Sequence, residues 1–190
     1  MNLRTHSMCF VTFLALACAA TVGCGRGSGT AGGDGDTILV GHYASMTGSE
    51  STYGQSTDNG IRLAVQEINA AGGINGKMIE LITYDDKGDV KEAGTAVTRL
   101  ITRDEVVAIL GEVSSGMSLA GAPVCQEHGV PMITPSSTNP RVTKVGDRIF
   151  RVCFIDPFQG FVCAKFAREH EDLRAERVAI LYDQASPYST

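Results

Sequence analysis

Two clusters of small hydroxyl side chains, Ser114-Ser115 and Ser136-Ser137-Thr138, carry the chemistry most readily read from this chain. Each follows a short apolar run, Val106 to Leu110 and Val130 to Thr134, with a helix-like stretch from Ser115 to His128 between them. The clusters therefore fall just past the carboxyl ends of two consecutive strands, the edge at which open α/β sheets bind ligands. Hydroxyls beside the free N–H groups of a helix start suit a carboxylate or a phosphate. Ser115 has a plainer role available as the cap of its own helix, which uses the same N–H groups. Ser136 to Thr138 can likewise be a turn closed by hydroxyl–backbone bonds.

Catalysis finds less support. A nucleophile elbow needs G-x-S-x-G. Around Ser114 the frame begins with Glu112, and around Ser115 neither flanking glycine is present. No hydrolytic triad and no phosphate-binding Walker loop can be assembled. Asp85-Asp86 ends a strand, but with no His nearby it reads as a solvated turn rather than a metal site. His42, His128 and His170 stand apart. The expectation is a binding protein with no catalytic residue, no metal and no cofactor.

The elements that must position these clusters alternate regularly. Thr37 to Gly41 reads as a buried strand, followed by a loop with two tyrosines. Ile61, Ala64, Val65 and Ile68 share one helical face, and glycines 72, 73 and 76 stop that helix. Met78 to Tyr84 is a second strand. Val90 to Arg103 is a second helix with Ala93, Ala96, Val97 and Leu100 on one side. Val106 to Leu110, Ser115 to His128 (bent or shifted at Pro123) and Val130 to Thr134 continue the rhythm. Near-continuous apolar strands separated by helices predict an α/β, doubly wound parallel sheet, a Rossmann-like lobe. After Pro140 comes a short strand, Ile149 to Cys153. A helix capped by Asp156 with Pro157 in its first turn follows, with Phe158, Phe161, Val162 and Phe166 as its apolar stripe. Arg177 to Tyr182 reads as another buried strand. The expected division is 1–23 signal, 24–36 tether, 37–150 a mostly complete first lobe and 151–190 the start of a second. A second lobe only begun implies a fragment or a truncated gene product.

With 190 residues, 43% hydrophobic and 19% charged, the composition is globular. A net charge of −5, no basic cluster and no Trp argue against nucleic acid as a partner. Met8 to Val22 is apolar and small, follows Arg4, and is short for a membrane span, as in an export signal. Gly25 to Asp36 reads as a flexible tether. Of the six cysteines, Cys9 and Cys18 lie in the signal and Cys24 directly follows it. Cys125, Cys153 and Cys163 remain, an odd number read as buried free thiols rather than a disulfide or metal set.

Thr21-Val22-Gly23-Cys24 resembles a bacterial lipobox, which implies lipidation of Cys24 and a membrane anchor. A plain secretory signal is the alternative. From Thr37 onward the ordered set GHYASMTGSESTYGQ, INAAGGINGK, YDDKGD, GEVSSG, GVPMITPSSTNP, FRVCFIDPFQG and YDQASPYST resembles the branched-chain amino acid (Leu/Ile/Val) binding proteins of ABC transporters. The resemblance implies a type I two-lobed clamp that holds an amino acid or similar carboxylate and docks on a membrane permease. It places Ser115, Ser136, Ser137 and Thr138 on the ligand's carboxylate. It places Tyr53 in the side-chain pocket and Tyr188 on the approaching second lobe. Better-studied members also share a disulfide between the places held here by Gly88 and Ser114, so that link is missing. Alternatives are a sensory ectodomain with the same clamp, or an α/β hydrolase-like enzyme.

Overall fold

The structure, a computed structural model, describes residues 37–186, 188 and 189. The signal and the whole tether, Cys24 included, lie outside them. The elements are β1 (Thr37–Ala44), α1 (Ser51–Ala70), β2 (Met78–Asp85), α2 (Val90–Thr102), β3 (Ala108–Leu110), α3 (Ser115–His128), β4 (Met132–Thr134), β5 (Ile149–Arg151) and α4 (Asp156–Glu169). A single 3₁₀ turn, Val142–Lys144, precedes β5.

The five strands are parallel in the order β2-β1-β3-β4-β5. The chain leaves β1 toward one side and returns past it to β3, so right-handed crossovers put α1 on one face and α2 and α3 on the other. Adjacent residues of β1 record this. Val40 lines a groove with α1, whereas a Cβ on Gly41 would meet Leu100 of α2 at 3.0 Å. Between α2, α3 and the sheet lies the core of Ala93, Ala96, Val97, Leu100, Ile109, Ala122, Cys125 and Met132. Burying the larger side chains here, Val97, Leu100, Ile109 and Met132, is worth about 1.5–3 kcal/mol each. On the α1 face, Val40, Ala108 and Leu110 line an apolar groove of about 530 Å³ with Ile61, Ala64, Val65 and Ile68. The predicted apolar stripe of α1 thus faces the sheet but leaves an open gap.

Local chemistry sets the boundaries. Asp89 caps α2, its carboxylate accepting from Lys91 N at 2.8 Å and Glu92 N at 3.0 Å. Gly129 ends α3 at φ 70°, a left-handed conformation open to glycine at little cost. Asn69 clips the end of α1 to β2 by exchanging two 2.8 Å bonds with the Ile79 backbone. β3 and β4 are shorter than predicted. Pro131, which has no N–H, precedes β4, although its carbonyl still accepts from Ile109 N at 2.9 Å.

Four expectations are corrected. Arg177 to Tyr182 forms no strand, and Ile180 is 84% exposed, because no neighbouring strand offers it a ladder among the described residues. α4 forms, but Phe158, Phe161, Val162 and Phe166 remain exposed, with no layer of described structure over that stripe. Its N-cap is Ile155, and Asp156 is already inside the helix. Of the thiols only Cys125 is buried; Cys153 is half-buried and Cys163 exposed.

Candidate functional site

The connections from β1 and β3 run to opposite sides of the sheet, which opens a crevice beyond the carboxyl ends of these two strands. A cavity of about 370 Å³ sits there, lined by Glu50, Tyr53, Val113, Ser114, Ser115, Ser136, Ser186 and Tyr188. Its parts come from the turn after β1, the turn after β3, the turn after β4 and the last described residues.

The turn after β3 leads straight into α3. Ser114, not Ser115, is the N-cap, and its side chain makes no capping bond. The first amides of α3 are therefore left to whatever occupies the cavity. Ser115 is the first helical residue, and its Oγ accepts from Asn139 N at 3.2 Å.

A hydroxyl zipper joins this turn to the one after β4. Thr134 Oγ1 and Ser137 Oγ donate to Glu112 O at 2.7 and 3.2 Å, and Ser137 Oγ meets Ser118 Oγ at 2.7 Å. Thr134 Oγ1 in turn accepts from Ser137 N at 3.0 Å. Ser137 is fully buried and its polar groups are spent inside the protein. Ser136 is exposed at the cavity wall, its Oγ donating to Val113 O at 3.0 Å. Thr138 differs from both. It is 7% exposed, its Oγ1 is buried without a partner, and its N–H meets no acceptor among the described residues. Only its carbonyl is engaged, accepting from Asp156 N at 3.1 Å.

The cavity thus brings Tyr53, Ser115, Ser136 and Tyr188 together, with the tyrosines 69% and 52% exposed. Ser137 and Thr138 stand outside its lining. Tyr53 belongs to the first turn of α1 rather than to a loop, since α1 starts at Ser51.

Behind the lining lies a buried polar relay. Ser114 N and Ser45 N both donate to the Glu112 carboxyl, the latter at 3.1 Å. Ser45 Oγ lies 3.2 Å from Glu112 Oε1 and donates to Asp86 Oδ1 at 2.8 Å. Gly88 N donates to the same Asp86 oxygen at 2.9 Å. The relay runs from Gly88 to Ser114, the two places where the family resemblance implies a disulfide. Glu112 and Asp86 are both fully buried. Burial, with the Asp86 charge adding to it, pushes the Glu112 carboxyl up to about 7. Asp86 is also raised, mainly by burial. One Ser45 hydrogen cannot serve two carboxylates, and a neutral Glu112 can donate its O–H to the Ser45 oxygen while Ser45 donates to Asp86.

Residues 37–190 match the family model described as periplasmic binding protein. The chain belongs to this family. It is similar to a Leu/Ile/Val-binding protein homolog of Brucella abortus, 38% identical over 152 residues, which are 80% of this chain and 40% of that one. It is also similar to a leucine-binding protein from Thermotoga maritima, with TM-score 0.74 and 40% identity over 80% of this chain and 42% of that chain. A branched-chain amino acid transporter substrate-binding protein from Streptococcus pneumoniae, solved with isoleucine, gives TM-score 0.69 and 40% identity, covering 70% of this chain and 38% of that one. The chain spans about two fifths of the length of these proteins.

Three functional candidates of this periplasmic binding protein escaped sequence reasoning: Glu50, Ser45 and Glu112. Glu112 was discounted as the wrong residue for an elbow, and nothing in its spacing signals burial. Gly54 held the one available hint for the first turn. A Cβ there would sit 2.1 Å from Ser45 O, so the turn carrying Glu50 and Tyr53 is pressed against the end of β1.

Proposed function

We propose that this chain supplies the ligand-receiving lobe of an extracytoplasmic solute-binding protein, which delivers a branched-chain or related amino acid to the permease of an ABC importer. The observation that supports this best is the uncapped N-terminus of α3 opening onto a cavity of about 370 Å³ lined by serines. The ligand's carboxylate lies against the first amides of α3 and the hydroxyl of Ser115, with Ser136 at the cavity wall, its own hydroxyl hydrogen held by Val113 O. Such charge-assisted hydrogen bonds are the strong kind. The unengaged N–H and Oγ1 of Thr138 complete the donor set once the loop adjusts to ligand, while Ser137 supports the loop from inside. Tyr53 and Tyr188 wall the ligand's side chain. Residues 151–190 begin a second lobe that hinges over the first, a closure open to two-lobed clamps. Lipid on Cys24 holds the protein at a membrane, and the tether 24–36 lets it reach the permease. The protein binds and releases its solute without chemical conversion and has no nucleic acid partner.

Calorimetric titration of the full-length protein with leucine, isoleucine and valine tests this. Saturable binding is expected, weakened about tenfold or more by Ser115→Ala and by Thr138→Ala. Failure to bind any amino acid or small carboxylate sinks the assignment.

A further inference from the structure

The Glu112 carboxyl lies one hydrogen bond behind the cavity wall. Its Oε2 accepts from Ser114 N, and Ser114 and Ser115 line the cavity where α3 begins. The backbone of Glu112 is fixed as well, its carbonyl accepting from the hydroxyls of Thr134, Ser137 and Ser118 at 2.7, 3.2 and 3.2 Å. Asp86 shares the Ser45 hydroxyl with it, and the other Asp86 oxygen, Oδ2, is buried with no partner among the described residues. Around this pair β1 contributes Tyr43, the end of β2 contributes Asp85, and the N-cap of α1 contributes Glu50. Cys125 of α3 lies beyond Tyr43, and burial keeps both of these neutral by raising phenol and thiol alike. Ser115 to Ser118 in the first turn of α3, and Ser136 to Thr138 after β4, carry no titratable side chain. The charges that bear on Glu112 and Asp86 are thus all acidic. Two buried carboxyls bridged by one hydroxyl resist ionising together.

An ionised Glu112 takes the positive end of α3 from behind, and a carboxylate in the cavity takes it from the front. Two negative charges on one helix start repel, in surroundings that screen them less than water does. We propose that Glu112 is a proton-linked positioning residue of the ligand-receiving turn, so that an anionic group binding at the start of α3 draws a proton onto Glu112 and is held more tightly at low pH than at high pH. The assignment rests on the cavity being the carboxylate-binding site. The proton comes from solvent and settles on a Glu112 oxygen. From there it is donated to Ser45 Oγ, while Ser45 keeps its own bond to Asp86. Burial already brings the Glu112 carboxyl to about 7, so a further rise on binding falls in the neutral range. By linkage, affinity is greatest below the free-state value, falls as pH rises through it, and levels off above the ligand-bound value.

The test titrates the full-length protein with leucine between about pH 5.5 and about pH 8.5, in two buffers of unlike ionisation enthalpy, so that calorimetry reads both affinity and protons taken up. The parent is expected to bind about fivefold or more tighter at the acid end and to take up part of one proton near neutral pH. In Glu112→Gln the uptake should vanish and the affinity should vary by less than about twofold over the same range, whereas Asp86→Asn keeps the uptake. Leucine's own titration is common to the three proteins and cancels in the comparison. Infrared difference spectra supply a reading that needs no Glu112 variant. Leucine added near neutral pH should raise the neutral-carboxyl band at the expense of the carboxylate band, in the parent and in Asp86→Asn. Leucine binding with no proton uptake and no such band overturns the proposal and leaves the carboxylate site standing. Uptake that survives in Glu112→Gln, or a band lost in Asp86→Asn, puts the proton elsewhere and overturns it as well. If the parent binds no amino acid or small carboxylate at any pH, the carboxylate site fails and this assignment falls with it.

Discussion

Arg151 Nη1 donates to two carbonyls of one loop, Ser137 O at 2.9 Å and Asn139 O at 2.8 Å. Its Nη2 reaches Thr143 Oγ1 at 2.8 Å. Across a trans peptide the C=O and the following N–H point in opposite directions. Holding Ser137 O therefore turns the Thr138 N–H away from the guanidinium. Arg151 is a positioning residue for the loop that carries Thr138. Lysine supplies the charge without the fork that grips two carbonyls and a hydroxyl together. Arg151→Lys in the full-length protein is expected to weaken amino acid binding about tenfold. Thr143→Val, which frees only Nη2, is expected to weaken it less. Calorimetry with matched thermal melts checks this, and an unchanged affinity in Arg151→Lys removes the positioning role.

Glu112 gives the fold a pH dependence of definite sign. Its carboxyl moves from an ordinary 4.5 to about 7 on burial. Between these values the folded protein keeps a proton that the unfolded chain has released. Stability is then full below the lower value, declines as pH rises, and reaches its floor above the upper one. The span is worth about 3 kcal/mol. Glu112→Gln cannot ionise and keeps an oxygen for one of the two amides. Urea unfolding of parent and variant at about pH 5 and about pH 8 should show a flatter dependence in the variant. A variant with the parent's slope would assign the titration to Asp86 instead.

Two glycines are held by close approach. A Cβ on Gly121 would stand 2.6 Å from Tyr43 Oη and 2.8 Å from Val97 Cγ2 inside the core. Gly121→Ala is expected to cost about 1–3 kcal/mol through overpacking. At Gly54 the obstacle is the Ser45 backbone oxygen at 2.1 Å, which cannot swing aside as a side chain can. Gly54→Ala should cost more than Gly121→Ala. It should also weaken ligand binding, because Glu50 and Tyr53 ride on the displaced turn. Urea midpoints rank the two costs, and titration of the same proteins reads the second effect.

The parallel sheet was legible because its strands are apolar runs set between helices with one-sided apolar faces. Ala93, Ala96, Val97 and Leu100 were picked from spacing alone, and all four are buried. Arg177 to Tyr182 has the same apolar character and forms no strand. An apolar run specifies burial only when another element is present to receive it. The two hydroxyl turns were placed correctly at the sheet edge, since strand ends and helix starts are local features. What each hydroxyl does there was not legible. The separate duties of Ser137, bonded internally, and Thr138, left unengaged, depend on contacts with Glu112 and Ser118 from another turn. Glu50 and Glu112 stayed hidden for a related reason. An acidic residue in a turn normally faces solvent, but Glu112 is fully buried and Glu50 partly so.

The position of β1 has a kinetic consequence. It is the first strand of the fold along the chain, yet it lies inside the sheet, with His42 paired to Thr83 on one side and Leu110 on the other. Synthesis proceeds from the N-terminus, so β1 waits with one edge unpaired until β3 has been made. Non-local parallel pairing of this kind is slow and leaves intermediates exposed. The crevice has no second wall before β3 arrives, so solute cannot speed the early steps of folding. It can only trap the lobe after the sheet has closed.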